Sequence, residues 1–270
     1  MPKKRIPTIE ELKIIEKMNN QHYSYKEIAE QLHCSYETIK RIMNDYNIQK
    51  KKSSRKNHLL KEDFFENIDS EEKAYLLGLL KTDGFIKKGK DNRQSRWGIS
   101  LKESDKILLE QIKTIINSDS ILSKDRRKGK ECYSLEITNE KMCNDLAKYE
   151  ILPNKTYLLT NIHIEQIPEI LQKHYLRGLL DGDGSIFIEK RYNQIGISFT
   201  GYSENFVYSF QQAIDSILNR KQSNKIQKAN AYFCKWKGNI ICKEILHYLY
   251  SDSNIFLPRK KEFYLNTIDK

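Results

Sequence analysis

One nine-residue segment occurs twice in this chain. Leu76-Leu77-Gly78-Leu79-Leu80-Lys81-Thr82-Asp83-Gly84 returns as Leu176-Arg177-Gly178-Leu179-Leu180-Asp181-Gly182-Asp183-Gly184, 100 positions later. The five residues shared as G-L-L-x-x-D-G would recur by accident with odds on the order of one in 10⁴. Downstream features return in the same order. Trp97-Gly98-Ile99-Ser100-Leu101 corresponds to Ile195-Gly196-Ile197-Ser198-Phe199, and Leu152-Pro153-Asn154-Lys155 to Leu257-Pro258-Arg259-Lys260, the offset drifting only from 98 to 105. A chain duplicated in this way folds as two copies of one structural unit.

Within each copy an apolar helix comes first and ends at Asp-Gly, where Gly84 and Gly184 are expected to supply the helix stop. Two strands follow. Trp97, Ile99 and Leu101 alternate with Arg96, Ser100 and Lys102, and Ile195, Ile197 and Phe199 alternate with Gln194, Ser198 and Thr200. One face of each sheet is therefore apolar and the other polar. A longer helix is expected over 104–117 and 203–218, then two more strands (about 120–126 and 131–138; 222–229 and 231–237) and a last helix. The fold class is α+β, an αββαββα unit present twice as pseudo-symmetric halves.

The N-terminal segment reads as three short helices. Thr8 with Glu11, and Ser24 with Glu27, have capping-box spacing, and Ser35 is a further N-cap. Ile9, Leu12, Ile15 and Met18 recur at helical spacing, and Ile39, Ile42 and Tyr46 are expected to point inward from the third helix. Residues 25–46 resemble the helix-turn-helix of bacterial DNA-binding proteins, with small Ala29 where the helices cross, and His33 where that motif usually has Gly. The resemblance implies an exposed second helix whose Tyr36, Glu37, Thr38, Lys40, Arg41 and Asn44 meet DNA; the plainer alternative is a three-helix packing module. Residues 47–61 carry six Lys or Arg with serines and no apolar periodicity, as a basic linker does. The expected organisation is 1–48 helix-turn-helix, 49–65 linker, 66–160 first repeat and 161–270 second repeat.

Composition narrows the function. Charged residues are 31% of the 270 against 39% apolar, enough core formers to fold. The longest apolar run, Ala74 to Leu80, is far short of the roughly 20 residues that span a bilayer, and no secretory signal is present. Five cysteines without a CxxC pair fit neither a disulfide framework nor a zinc cluster and read as reduced, intracellular thiols, in a cytoplasm or an organelle. A net charge of +11 favours polyanions, either nucleic acid or an anionic membrane surface.

The paired LLGLLKTDG and LRGLLDGDG segments resemble the two signature helices of a LAGLIDADG homing endonuclease, and the similarity covers about residues 66–270. The resemblance implies that the helices pack through Gly78 and Gly178 and deliver Asp83 and Asp183 to a shared centre. It also implies that the carbonyls of Thr82 and Gly182 are metal ligands, and that a basic residue from each half serves the centre, matched here by Lys155 and Lys260, with Lys261 a rival for the second. The spacing supports the centre independently. Two helix C-termini meeting at one point gather two carboxylates and two sets of unpaired carbonyls, a negative locus that calls for a cation. Oxygen ligands select Mg²⁺ (or Mn²⁺), and such a site hydrolyses phosphodiesters. An Asp ending an apolar helix beside a turn Gly is ordinary in one copy; two copies in register in a basic chain are not. Lys81 replaces the first acidic residue of the signature while Asp181 keeps it, which leaves room for unequal cleavage of the two strands.

Base recognition is expected on the polar strand faces, arranged as saddle-shaped sheets. These carry Lys87, Arg96, Ser100 and Lys102 in the first half, and Phe187, Glu189, Arg191, Gln194, Ser198 and Thr200 in the second. Loop residues including Lys88, Lys90, Arg93, Arg126, Arg127, Lys128 and Lys130 are expected to touch phosphates. The leading expectation is a monomeric, metal-dependent, site-specific endonuclease acting on double-stranded DNA, with no membrane partner. The alternatives are a catalytically silent nucleic-acid binder (an intron maturase or a transcription regulator) and a mobile-element repressor led by the helix-turn-helix.

Overall fold

The computed structural model describes residues 5–20, 23–49, 60–89, 94–125, 131–155, 158–221 and 225–268. The chain divides into two compact units, Met1–Leu60 and Lys61–Lys270.

The first unit contains α1 (Ile9–Asn20), α2 (Tyr25–Gln31) and α3 (Tyr36–Asp45). Both capping boxes form. Thr8 N donates to Glu11 (2.9 Å) while Glu11 N donates to Thr8 Oγ1 (3.2 Å), and Ser24 and Glu27 reciprocate in the same way (2.7 and 3.3 Å). Ser35 caps α3 through Thr38 N (3.2 Å). His33 takes the left-handed conformation, φ 48°, that its place in the turn demands. Ile15, Ile28, Ala29, Ile39, Ile42 and Met43 make the core. Two expected core residues lie outside it: Ile9 is 76% exposed and Tyr46 45%. Steps of three residues fall about 60° short of a full turn, so four in a row leave any single face, and the buried stripe of α1 runs instead through Ile15 and Asn19. Tyr46 is only the C-cap of α3, and Met43 takes the core position one turn earlier.

The second unit repeats αββαββα and adds one helix. The first copy is α4 (Glu71–Thr82), β1 (Gly84–Lys87), β2 (Arg96–Lys102), α5 (Lys106–Ile115), β3 (Ser123–Asp125), β4 (Cys132–Thr138) and α6 (Glu140–Lys148). The second is α7 (Gln172–Asp183), β5 (Gly184–Glu189), β6 (Gln194–Gly201), α8 (Glu204–Ile217), β7 (Gln227–Lys228), β8 (Tyr232–Lys237) and α9 (Asn239–Tyr250), followed by α10 (Pro258–Ile268). Each copy forms an antiparallel four-stranded sheet, ordered β1-β2-β4-β3 and β5-β6-β8-β7. The apolar strand faces, with Trp97, Ile99, Leu135 and Ile137 in one half and Ile197, Phe199, Cys234 and Trp236 in the other, are buried.

Helices α4 and α7 are buried along most of their length and pack against each other. Glycine is what permits this approach. A Cβ at Gly78 would strike the Tyr175 carbonyl, and one at Gly178 the Tyr75 carbonyl.

Strand pairing corrects two expectations. Gly84 and Gly184 do not stop their helices by a left-handed turn. Gly184 is extended (φ −93°, ψ 159°) and Asp83 is helical, and Gly238 is the sole positive-φ glycine among the described residues. Both instead begin strands that fold back over the helix end, where a Cβ on Gly84 would lie 2.6 Å from the Leu80 carbonyl oxygen. The second correction concerns register. Gly84 pairs with Ile99 and Gly184 with Phe199, so the second strands correspond at an offset of 100, not the 98 that their sequence likeness suggests. The tryptophans reflect this, since Trp97 faces Ile137 in one half and Ile197 faces Trp236 in the other. The same large–small pair is thus built with the strands exchanged.

Candidate functional site

Because α4 and α7 run side by side, their C-termini end together. Asp83 and Asp183 reach solvent there, yet enough protein surrounds them for desolvation to dominate both. Burial raises the Asp83 pKa, while Lys260 and Lys155 oppose the rise. Burial and then the charge of Asp83 push Asp183 up to about 6. The Thr82 side chain lies where a Cβ of Gly182 would be, so only glycine fits at the second position of this crossing.

Lys155 and Lys260 are both buried at this centre, and desolvation lowers each to about 8. Their engagements differ. Lys155, in the turn after α6, donates to the Thr82 carbonyl (2.8 Å). Lys260, in the first turn of α10 rather than on a loop, donates to the carbonyls of Leu180, Asp181 (2.9 Å) and Gly184 (2.7 Å), which uses all three of its N–H bonds. Lys261 turns away to the end of α9, donating to Tyr250 and Ser253, so it is not the residue at the centre. A cavity of about 20 Å³ bounded by Thr82, Lys155, Asp183 and Ser203 has room for roughly one water molecule.

The variant signature position is accommodated on both sides. Asp181 accepts from Tyr75 Oη (2.8 Å), Tyr250 Oη (2.6 Å) and Leu257 N (2.7 Å). Lys81 is equally buried and donates to the carbonyls of Tyr149 (3.1 Å) and Ile162 (3.5 Å), with Glu150 3.8 Å away. An acceptor hub in one half is a donor hub in the other.

The polar sheet faces hold the residues that alternation selected. Lys87 opposes Arg96, Glu189 opposes Gln194, and Ser100, Lys102, Ser198 and Thr200 share those faces. Phe187 lies over Gly196, and Phe85 likewise covers Gly98. Arg191 lies in the β5–β6 turn, stacked on Tyr192, rather than on a strand. Arg126 and Arg127, like Lys90, Arg93, Lys128 and Lys130, fall outside the described residues. Sequence reading passed over Glu136, which bridges Lys87 and Arg96 (both 3.2 Å), and Lys237, which pairs with Glu189 (2.9 Å). The same period-two count, applied to β4 and β8, would have found them. In the first unit Tyr36, Lys40 and Asn44 are exposed on α3, whereas Arg41 is half-buried and donates to the Arg5 carbonyl (2.6 Å).

Two glycine-packed helices that set a pair of carboxylates between two antiparallel sheets define a duplicated α+β protein of the homing-endonuclease fold. Residues 70–149 and 171–251 match the family described as "LAGLIDADG-like domain", more than half of the chain, and the chain belongs to that family. Residues 12–56 match a helix-turn-helix domain. No curated protein sequence matches. Among solved structures, the chain is similar to the LAGLIDADG homing endonuclease I-GzeII in complex with its DNA target (14% identity, 73% of this chain and 88% of that one, TM-score 0.50). It is also similar to the meganuclease I-SmaMI bound to uncleaveable DNA with a TTCT central four (12% identity, 74% and 90%, TM-score 0.50). At these identities the likeness concerns the fold. Among the described residues no helix is long and apolar enough to cross a membrane.

Proposed function

We propose that this protein is a monomeric, site-specific double-strand DNA endonuclease dependent on Mg²⁺ or Mn²⁺. The observation that carries the reading is the meeting of Asp83 and Asp183 beside two buried lysines, between two sheets with polar outer faces. A binding module has no use for two mutually repelling carboxylates placed where a phosphate would lie.

The residues suit a hard divalent cation. No group of three or more His, Cys, Asp or Glu side chains is gathered among the described residues, so the rest of the coordination falls to backbone carbonyl, water and substrate phosphate, as such ions prefer. Of the two carbonyls, Gly182 is the better ligand, because the Thr82 oxygen already holds the Lys155 ammonium. When bound, the ion would activate water and offset charge on the phosphate. In the reaction the water oxygen gives up a proton as it bonds to phosphorus, the bond to the 3′ oxygen breaks, and that oxygen takes up a proton. Lys155, lowered to about 8, carries a mobile proton near neutral pH beside Asp183. Lys260 holds the end of α7 and adds positive charge.

DNA contacts in this reading fall to the polar strand residues. The N-terminal helix-turn-helix adds flanking contacts through Tyr36, Lys40 and Asn44. The basic linker expected over 49–65 is shorter at its far end, because Lys61 N donates to the Ile116 carbonyl (3.0 Å) and Phe64 and Phe65 are buried in the second unit. The silent-binder reading draws on Lys260, whose ammonium is fully spent on backbone. One experiment separates the two. The protein selects its own site from a randomised duplex library, and that duplex is then incubated with Mg²⁺ or Mn²⁺. Double-strand cleavage is expected, and Asp83→Asn or Asp183→Asn should abolish it while sparing binding. Cleavage by either variant at the wild-type rate would mean the site is misassigned; no cleavage by the wild-type protein would leave the binder.

A further inference from the structure

The two halves of the centre differ at a position that neither signature helix contains. Where the second strand hands over to the following helix, α8 is capped by Ser203, whose Oγ accepts from Phe206 N (3.5 Å). The corresponding N-cap of α5 is Asp105, which makes no capping bond. Asp105 is 3% exposed; its Oδ2 accepts from Arg259 Nε (3.4 Å), while its Oδ1 is buried with no partner among the described residues. Arg259 immediately precedes Lys260, and its counterpart preceding Lys155 is the neutral Asn154. A charged pair, Asp105 with Arg259, thus stands in one half where Ser203 and Asn154 stand in the other.

The pair sits at the acidic centre, on the Asp83 side. The charges of Arg259 and Asp105 act on Asp83, whereas Ser203, the counterpart of Asp105, lines the small cavity beside Asp183 and Lys155. Arg259 is half-exposed, and the guanidinium meets no acceptor among the described residues except Asp105 through Nε. That leaves the fork of Nη donors, the geometry that suits a phosphate. The Asp105 carboxylate makes no capping bond to the helix it begins, and its one hydrogen bond fixes this guanidinium.

Resting on the endonuclease reading above, we propose that Arg259, held in place by Asp105, grips a DNA phosphate in the Asp83 half alone. The two strands are therefore cut in sequence, the one served by Asp83 first. Arg259 is the phosphate-contacting residue and Asp105 a positioning residue that acts through it. Extra positive charge where the phosphate gains negative charge accelerates the step at that half and leaves the other unaided.

The test uses the full chain and the duplex it selects, each strand carrying a different dye, under single-turnover conditions with Mg²⁺. Wild-type protein should accumulate a nick in one strand before the other. Arg259→Asn should slow that first nick by about 10–100-fold and move the second by less than about twofold, removing the bias. Arg259→Lys should keep part of it. Asp105→Ser with Arg259→Asn, which copies the chemistry of the second half, should behave like Arg259→Asn alone, and Asp105→Asn should weaken the bias with Arg259 still present. Equal strand rates in the wild type, or equal slowing of both strands by Arg259→Asn, would overturn the proposal. Phosphate-ethylation interference on the complex in Ca²⁺ gives a readout independent of cleavage: one phosphate on one strand should lose its effect in Arg259→Asn. An unchanged pattern sinks this inference, whereas failure of the wild type to cleave sinks the endonuclease reading.

Discussion

Lys155 and Lys260 occupy equivalent places and do different work. Removing the Lys260 ammonium takes away the donor shared by three carbonyls at the end of α7, of which only Leu180 keeps the Gly184 N–H as a shown partner, and a buried polar group left unsatisfied costs about 1–3 kcal/mol. Lys260→Ala is expected to lower the unfolding free energy by about 3 kcal/mol, seen as an earlier denaturant midpoint. Lys155→Ala strands one carbonyl, so it should unfold closer to wild type while cleaving about 10²–10⁴-fold more slowly. If the stability losses came out reversed, the geometry assigned to the two lysines would be wrong. A second residue sets a pH dependence. Arg177 is fully buried and donates to His174 Nδ1 (2.9 Å), to Glu71 (2.6 Å) and to the carbonyls of Ile255 and Leu249. An arginine only donates, so Nδ1 must be the unprotonated nitrogen of a neutral ring. Desolvation, then the charge of Arg177, lowers the His174 pKa. The unfolded chain therefore takes up the proton first as pH falls below about 6.5, and stability declines with acidification in that window. Urea midpoints measured from pH 7 to pH 5 should fall less steeply for His174→Gln than for wild type; parallel curves would remove His174 as the cause.

Among the elements, the α4–α7 pair is the one the whole centre hangs on. The helices are in backbone contact at Gly78 and Gly178, where an added methyl would meet a carbonyl of the opposite helix. Neither backbone can withdraw without opening the core on both sides. Gly178→Ala should cost about 3 kcal/mol and also displace Asp83 relative to Asp183, so cleavage should fall further than the stability loss explains. A variant that folds with wild-type stability and wild-type rate would show that the helices have slack at this crossing. The strands obey a milder constraint. Glu136 holds Lys87 and Arg96 on one face, and Glu189 holds Lys237 on the other, which fixes cations that would otherwise sample many rotamers.

At the scale of the molecule, asymmetry is the recurring theme. Two repeats share a fold, but Lys81 of one is matched by Asp181 of the other and Asp105 by Ser203, and the helix-turn-helix segment occurs once where the repeat occurs twice. A chain beginning at Phe64 should keep cleavage at the central site, bind more weakly and lose footprint on one side only. Every DNA phosphate that the N-terminal module no longer neutralises should lower the slope of log affinity against log salt by about 0.9. A footprint and slope that survive the truncation would assign residues 1–60 some role other than DNA binding.

The duplication, the capping boxes, the face alternation and the pair of aspartates were all legible in the sequence, because each depends on chemistry between near neighbours or on a period of two or 3.6 residues. Register was not. A slip of two residues leaves every side chain on the same face, so Gly98 with Gly196 was as good a match by pattern as the pairing that Gly84 and Gly184 impose. The same limit hid the division of labour at the centre. Sequence spacing brought Lys155 and Lys260 to equivalent positions, but which carbonyls each ammonium meets depends on where α10 begins. Whether Asp105 finds a helix to cap or an arginine 154 residues away depends on how the two halves pack. Local pattern names the residues; only tertiary packing, which brings distant backbone and side chains within about 3 Å, decides what each of them holds.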